Sequence, residues 1–234
     1  MKPSLFLFIA LSALSVQGLR AATLVSYTFG TGAAADFNPT TTAGSIFSSV
    51  TAITAGSGVT LESSGVDLGG SGLRAMGVDG PNAVSSTEAF AISTGRFISF
   101  TLTPQVGQSF DLGSIAFRAN IGGPNTANEF SIQVDTGSGF NTAATGIVTA
   151  ESGSTGSPRN IFNLALTPPS AGAYTGITTP TTIRMVFYDT TATPATWDAW
   201  VRLDDIYLDS TVIPEPGSAL LGLLGAGFLI RRRR

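Results

Sequence analysis

Short runs of β-branched and aromatic residues recur along the chain, each closed by a cluster of Gly, Pro, Asn, Ser or Thr. Period-two or continuous apolar runs of this length are the pattern of strands. The clearest predict strands over Leu24 to Phe29, Arg96 to Leu102, Ser114 to Ala119, Glu129 to Val134, Thr145 to Ala150, Ile161 to Leu166, Thr182 to Tyr188 and Val201 to Leu208. In the second of these, Ile98, Phe100 and Leu102 are expected to pack inward while Ser99 and Thr101 face water, as in an antiparallel sheet covered on one side. Gly122-Gly123-Pro124-Asn125 and Asp135-Thr136-Gly137-Ser138-Gly139 lie beside such runs and read as turns. No amphipathic helix is expected.

Many strands at modest spacing, without helices and without a repeat of propeller length, predict an all-β fold: an antiparallel two-sheet sandwich, with a jelly roll favoured. The stretch from Gly30 to Gly80 is rich in Ala, Thr, Ser and Gly, and is expected to supply edge strands and long loops.

Of the 234 residues only 12% are charged while 43% are hydrophobic. That is enough apolar material for a core, with surface polarity left to hydroxyls and backbone. Four of the twelve basic residues are Arg231, Arg232, Arg233 and Arg234, and Lys2 and Arg20 lie in or beside the N-terminal apolar run. The part between keeps six arginines and no lysine against fourteen carboxylates, a balance of −8. That balance opposes a nucleic-acid partner. The chain contains neither Cys nor His, which excludes disulfides, zinc sites of the usual type, thiol nucleophiles and Ser-His-Asp triads.

The two ends read as addresses. A short positive start, an apolar run from Leu5 to Val16 and small residues just beyond predict a secretory signal peptide over residues 1–21, handled by the secretion machinery and signal peptidase. The β-sandwich domain is then expected over 22–211. At the other end Pro214-Glu215-Pro216 fixes an extended hinge, Ser218 to Ile230 carries no charge, and four arginines close the sequence. An apolar helix of that length is about 20 Å long, short of the ~30 Å hydrocarbon core, and is expected as a short transmembrane helix. The arginines are expected to stay on the cytoplasmic side of the inner membrane, leaving the domain outside.

Pro214, Glu215 and Pro216, then the apolar helix, then Arg231 to Arg234, resemble the PEP-CTERM sorting signal of Gram-negative bacteria that make exopolysaccharide. The likeness covers residues 212–234. It implies recognition and cleavage by an exosortase near Pro214-Glu215-Pro216, and a final place in the cell envelope, on the outer surface or in the extracellular matrix. More loosely, the stretch from Ser99 to Asp209 resembles the jelly rolls of galactose-binding-like carbohydrate modules.

Within the domain, Trp197 and Trp200 are candidates for stacking on sugar faces, since indoles are flat, apolar and carry an N–H donor; the alternative is that they cap the core. Asp198, Asp204, Asp205 and Asp209 gather hard oxygens, with Asp204 and Asp205 as candidate ligands of a structural Ca²⁺ ion. No EF-hand spacing is present, and on a regular strand the two side chains point to opposite faces, so sharing one ion requires a bulge. Gly69-Gly70-Ser71-Gly72 lacks the ending of a phosphate loop and reads as a turn. The expected function is non-catalytic binding of exopolysaccharide or of envelope partners. A polysaccharide-active enzyme would need two close carboxylates in a groove. A purely structural or adhesive module would show a flat hydroxyl-rich face.

Overall fold

In the computed structural model, seven of the eight predicted runs lie on strands along most of their length, and the eighth, Thr145 to Ala150, is strand only as far as Ile147, with Thr149 and Ala150 outside the described residues. The structure describes residues 22–29, 37–44, 46–64, 72–77, 87–121, 128–148, 160–190 and 200–211. The strands are β1 (Thr23–Tyr27), β2 (Thr41–Thr42), β3 (Phe47–Val50), β4 (Thr54–Ala55), β5 (Val59–Ser64), β6 (Gly72–Gly77), β7 (Phe97–Pro104), β8 (Ser114–Ile121), β9 (Glu129–Asp135), β10 (Asn141–Ile147), β11 (Asn160–Ala165), β12 (Thr181–Tyr188) and β13 (Trp200–Asp209). The expected signal peptide and C-terminal helix, with Pro214, Glu215, Pro216 and the terminal arginines, lie outside the described residues. Among the described residues no helix is long and apolar enough to cross a membrane.

Among the described residues all strand pairings are antiparallel and fall into two sheets. One has seven strands in the order β11-β8-β13-β1-β2, with β6 also paired to β13 and β5 to β6. β6 and β1 share one edge of β13: β6 pairs with Trp200 to Leu203, and β1 with Ile206 to Asp209. The second sheet has six strands in the order β10-β9-β12-β7-β3, with β4 also on β7. The pairs are nested: β9 with β10, β8 with β11, β7 with β12 and β6 with β13. A long antiparallel ribbon that alternates between two sheets in this way is a jelly-roll arrangement.

Alternation places the core. In β7, Ile98, Phe100 and Leu102 are buried as expected, facing Val25, Tyr27, Ile115, Leu203, Ile206 and Leu208 from the seven-stranded sheet in one apolar cluster. Aromatic contacts join the sheets. Phe117 of β8 meets Phe130 of β9 edge-on at 5.3 Å, and Phe162 of β11 packs on both rings at 4.9 Å. Each such buried ring removes apolar area worth roughly 1.5–3 kcal/mol from water. Tyr27 meets Phe100 at 5.0 Å and spends its polar end on a hydrogen bond from its hydroxyl to the Thr51 carbonyl at 2.7 Å.

Two expectations are corrected. Ser99 and Thr101 are half-buried, not open to water, and their hydroxyls bond across the sheet: Thr101 with Thr182 at 2.9 Å and Ser99 with Thr54 at 3.2 Å. Among the described residues one helix is also present, α1 (Glu88–Ser93). It was not anticipated because six residues are too few for the helical period to register. Thr87 caps it by accepting the Phe90 N–H at 3.3 Å, and Ala91 is its buried contact. Among the turns, Asp135 Oδ1 accepts the N–H groups of Gly137 and Gly139 at 2.7 and 2.9 Å, as the Asp-x-Gly-x-Gly pattern predicts. The Gly122 to Asn125 turn lies outside the described residues.

Candidate ligand-binding face

β13 runs through the middle of the seven-stranded sheet, and its apolar residues do not keep strict alternation. Val201 and Leu203 are buried, and the next buried apolar pair is Ile206 and Leu208, one residue late. The pairing with β8 shifts at that point: Asp204 stands opposite Arg118, but Tyr207 stands opposite Ala116. One extra residue on β13 is a β-bulge. Asp205 carries the turn with φ = +50°, a left-handed conformation that Asp tolerates better than most residues. The three-residue gap between Leu203 and Ile206 was the signal in the sequence.

The bulge supplies the bend that Asp204 and Asp205 needed to act on one side. Asp204 is buried and its Oδ1 accepts the Asp205 N–H at 2.9 Å. The Asp205 carboxylate lies 3.3 Å from the guanidinium of Arg118 on β8. With side chains 40% and 24% exposed, this ion pair is worth at most about 1 kcal/mol, but it holds a planar donor fork and an acceptor side by side on the sheet surface. Among the described residues no group of three or more acidic, His or Cys side chains is placed to hold a metal ion.

Tyr207 stands next to this pair. Its phenol is shifted up, first by burial, then by the Asp205 and Asp204 carboxylates, with Arg118 acting in the opposite sense. Across the strands the row reads Asn163 on β11, Ala116 on β8, Tyr207 on β13 and Ser26 on β1. Ala116, with only a methyl group, stands between Asn163 and Tyr207 in this row. The face therefore offers donors only from Arg118, acceptors only from Asp205, and groups that do both from Tyr207 and Asn163. Such a set matches a ligand rich in hydroxyls.

The outer face of the six-stranded sheet is different, because α1 lies against it. Glu88 Oε1 accepts from Gln133 Nε2 at 2.6 Å and from the Thr142 hydroxyl at 3.3 Å. Arg184 Nε donates to Gln133 Oε1 at 2.6 Å, with its guanidinium 3.7 Å from the centre of the Phe140 ring. Burial lowers the Arg184 pKa, and Glu88 and Asp135 partly restore it. Ser131 and Gln133 are buried here, so this network anchors the helix. Sequence reasoning missed it, since a Gln and an Arg at outward strand positions read as solvated. A shallow groove opens between the edges of the two sheets, lined by Thr142 to Thr145, Asn163 to Ala165 and Thr167.

Of the other expected site residues, the backbone of Trp200 opens β13 opposite Met76, and its side chain is outside the described residues. Trp197 and Asp198 lie wholly outside them. Asp209 closes β13 opposite Thr23.

No protein-family model matches the chain, and no curated protein matches it. Solved structures do. The CBM22-1 xylan-binding domain of Paenibacillus barcinonensis Xyn10C is 12% identical at a TM-score of 0.41, over 83% of this chain and 99% of that one. The CBM22-1–GH10 modules of Clostridium thermocellum Xyn10B are 10% identical at 0.41, over 80% of this chain and 29% of that one. The N-terminal cellulose-binding domain of Cellulomonas fimi β-1,4-glucanase C is 14% identical at 0.29, over 61% and 80%.

Proposed function

We propose that the protein is an exported envelope or matrix protein whose β-sandwich binds extracellular polysaccharide without cleaving it. The observation that carries this reading is the outer face of the seven-stranded sheet, where Arg118, Asp205 and Tyr207, each partly exposed, stand together at the β13 bulge. A sheet face positions side chains rigidly, and a shallow surface suits a segment of an extended polymer better than a small substrate. Trp200, at the head of the same strand, and Trp197 are the proposed stacking residues. Hydrolysis would need two carboxylates flanking a bond across several ångströms of space. Asp204 and Asp205 are adjacent and already engaged, one by a backbone N–H and the other by Arg118. Affinity electrophoresis through gels containing the host's exopolysaccharide tests the site. Tyr207→Ala and Arg118→Ala are each expected to weaken retardation at least tenfold while melting within a few degrees of the wild type; unchanged retardation in both variants overturns the assignment.

The residues Pro214-Glu215-Pro216 and Arg231 to Arg234 support sorting by an exosortase after export through the inner membrane. The mature chain is then expected to lose both the leader and the residues beyond about Pro216. Intact mass from hosts with and without the exosortase checks this: survival of the arginine end in the exosortase-bearing host contradicts it.

A further inference from the structure

A sheet edge presents unpaired backbone donors and acceptors, and proteins blunt their edges with short strands, bulges, charges or proline. The edges of this sandwich are blunted, with one exception among the described residues. β2 and β4 have two residues each, β3 and β10 are bulged against their neighbours, and β5 carries Glu62. β11, Asn-Ile-Phe-Asn-Leu-Ala, has no charge, no proline and no break in register over all six of its pairs with β8. Ile161 is 75% exposed, and Asn163 and Ala165 are exposed too; only beyond Ala165 does the chain bond to β10, through the Thr167 N–H to the Ala143 carbonyl at 2.9 Å.

The register tells which backbone groups are free. The Leu166 N–H bonds to the Gly113 carbonyl at 2.9 Å, one step beyond the pair Ala165–Ser114. Hydrogen-bonded pairs alternate along an antiparallel ladder, so Phe162 and Leu164 exchange bonds with β8 while Ile161, Asn163 and Ala165 turn their N–H and C=O groups outward. An added antiparallel strand must supply the same spacing of free groups, and β11 supplies it to itself. With a two-fold axis through Asn163, Ile161 meets Ala165 of the second copy, Asn163 meets Asn163, and Phe162 meets Leu164 on the core side. Each large side chain on the outer face is thereby set against a small one, and no like charges face each other.

We infer that β11 is a self-association edge, through which two copies of this chain join their seven-stranded sheets by antiparallel β11–β11 pairing centred on Asn163. The inference does not rest on polysaccharide binding, although Asn163 belongs to both the edge and the ligand-binding row. Roughly six backbone hydrogen bonds would form, and it would give a protein of a polymer matrix two outward binding faces in place of one.

The absence of cysteine makes the test specific, since an introduced thiol has no competitor. In the mature chain recovered from its host, Asn163→Cys places two thiols on the axis, where Cα atoms of a hydrogen-bonded pair are ~5.5 Å apart, within the span of a disulfide. Ile161→Cys places its two thiols four residues out of register, about 13 Å apart. Under a mild oxidant Asn163→Cys is expected to form covalent dimer at least tenfold faster than Ile161→Cys. Equal rates, or no dimer from Asn163→Cys, overturn the proposal. As a second readout, sedimentation of the cysteine-free chain is expected to show concentration-dependent dimer that Ile161→Lys abolishes while melting as the wild type does; a wild type that stays monomeric at high concentration also overturns it.

Discussion

Asp205 holds φ = +50° at the bulge and faces Arg118, so backbone and side chain can be separated there by substitution. Glycine pays no steric penalty in that conformation, whereas a β-branched residue does, by roughly 1–2 kcal/mol. Asp205→Gly is expected to unfold in urea close to the wild type, and Asp205→Val about 1–2 kcal/mol below Asp205→Gly. Equal midpoints for the two variants would show that the bulge relaxes without left-handed backbone. Tyr27 offers a second separation. Tyr27→Phe keeps the ring packed on Phe100 but leaves the Thr51 carbonyl without its donor, and a loss of about 1–2 kcal/mol is expected in the same assay.

Among the elements, the β9–β10 hairpin is closely packed, because Gly146 of β10 lies under the ring of Phe130. A Cβ at Gly146 would collide with Phe130 Cζ and Cε1, in the middle of the ring cluster formed with Phe117 and Phe162. Gly146→Ala is expected to destabilise by roughly 1–3 kcal/mol, measurable as a lowered melting temperature. The same hairpin shows where sequence reading fails. Its strand was expected over Thr145 to Ala150 and spans Asn141–Ile147, since Thr, Ala and Gly alternate without contrast there and a bulge interrupts the register between Thr142 and Ala144. Strands with Phe, Ile, Leu or Val at every second position, such as β7 and β12, were legible to within two residues. β13 was legible as a strand but not as a bulged one, although Leu203 and Ile206 encode the extra residue. The candidate face was legible only in part. Asp204 and Asp205 stood out as carboxylates, but Arg118 and Tyr207 come to them through long-range pairing that no local pattern records.

At the scale of the whole molecule, titration has a simple shape. The chain has no His, whose ordinary pKa alone would place a side-chain charge change between pH 5 and 8. All four tyrosines are shifted up, chiefly by burial. In the unfolded chain phenols ionise near pH 10, while the folded chain keeps them protonated to higher pH. The unfolded state therefore binds fewer protons above that point, so this stability is fully present below about pH 10 and is lost as pH rises further. Unfolding midpoints are expected to be flat from about pH 6 to 9 and to fall beyond pH 10; a marked step near neutrality would contradict this.

Binding without turnover is the central claim, and one titration tests it. The mature protein is titrated by calorimetry with exopolysaccharide from its own type of host, and the same samples are assayed for newly released reducing ends. Saturable binding with no release, abolished together by Tyr207→Ala and Arg118→Ala, is the predicted result. Release of reducing ends, or no binding by the wild type, would contradict the account.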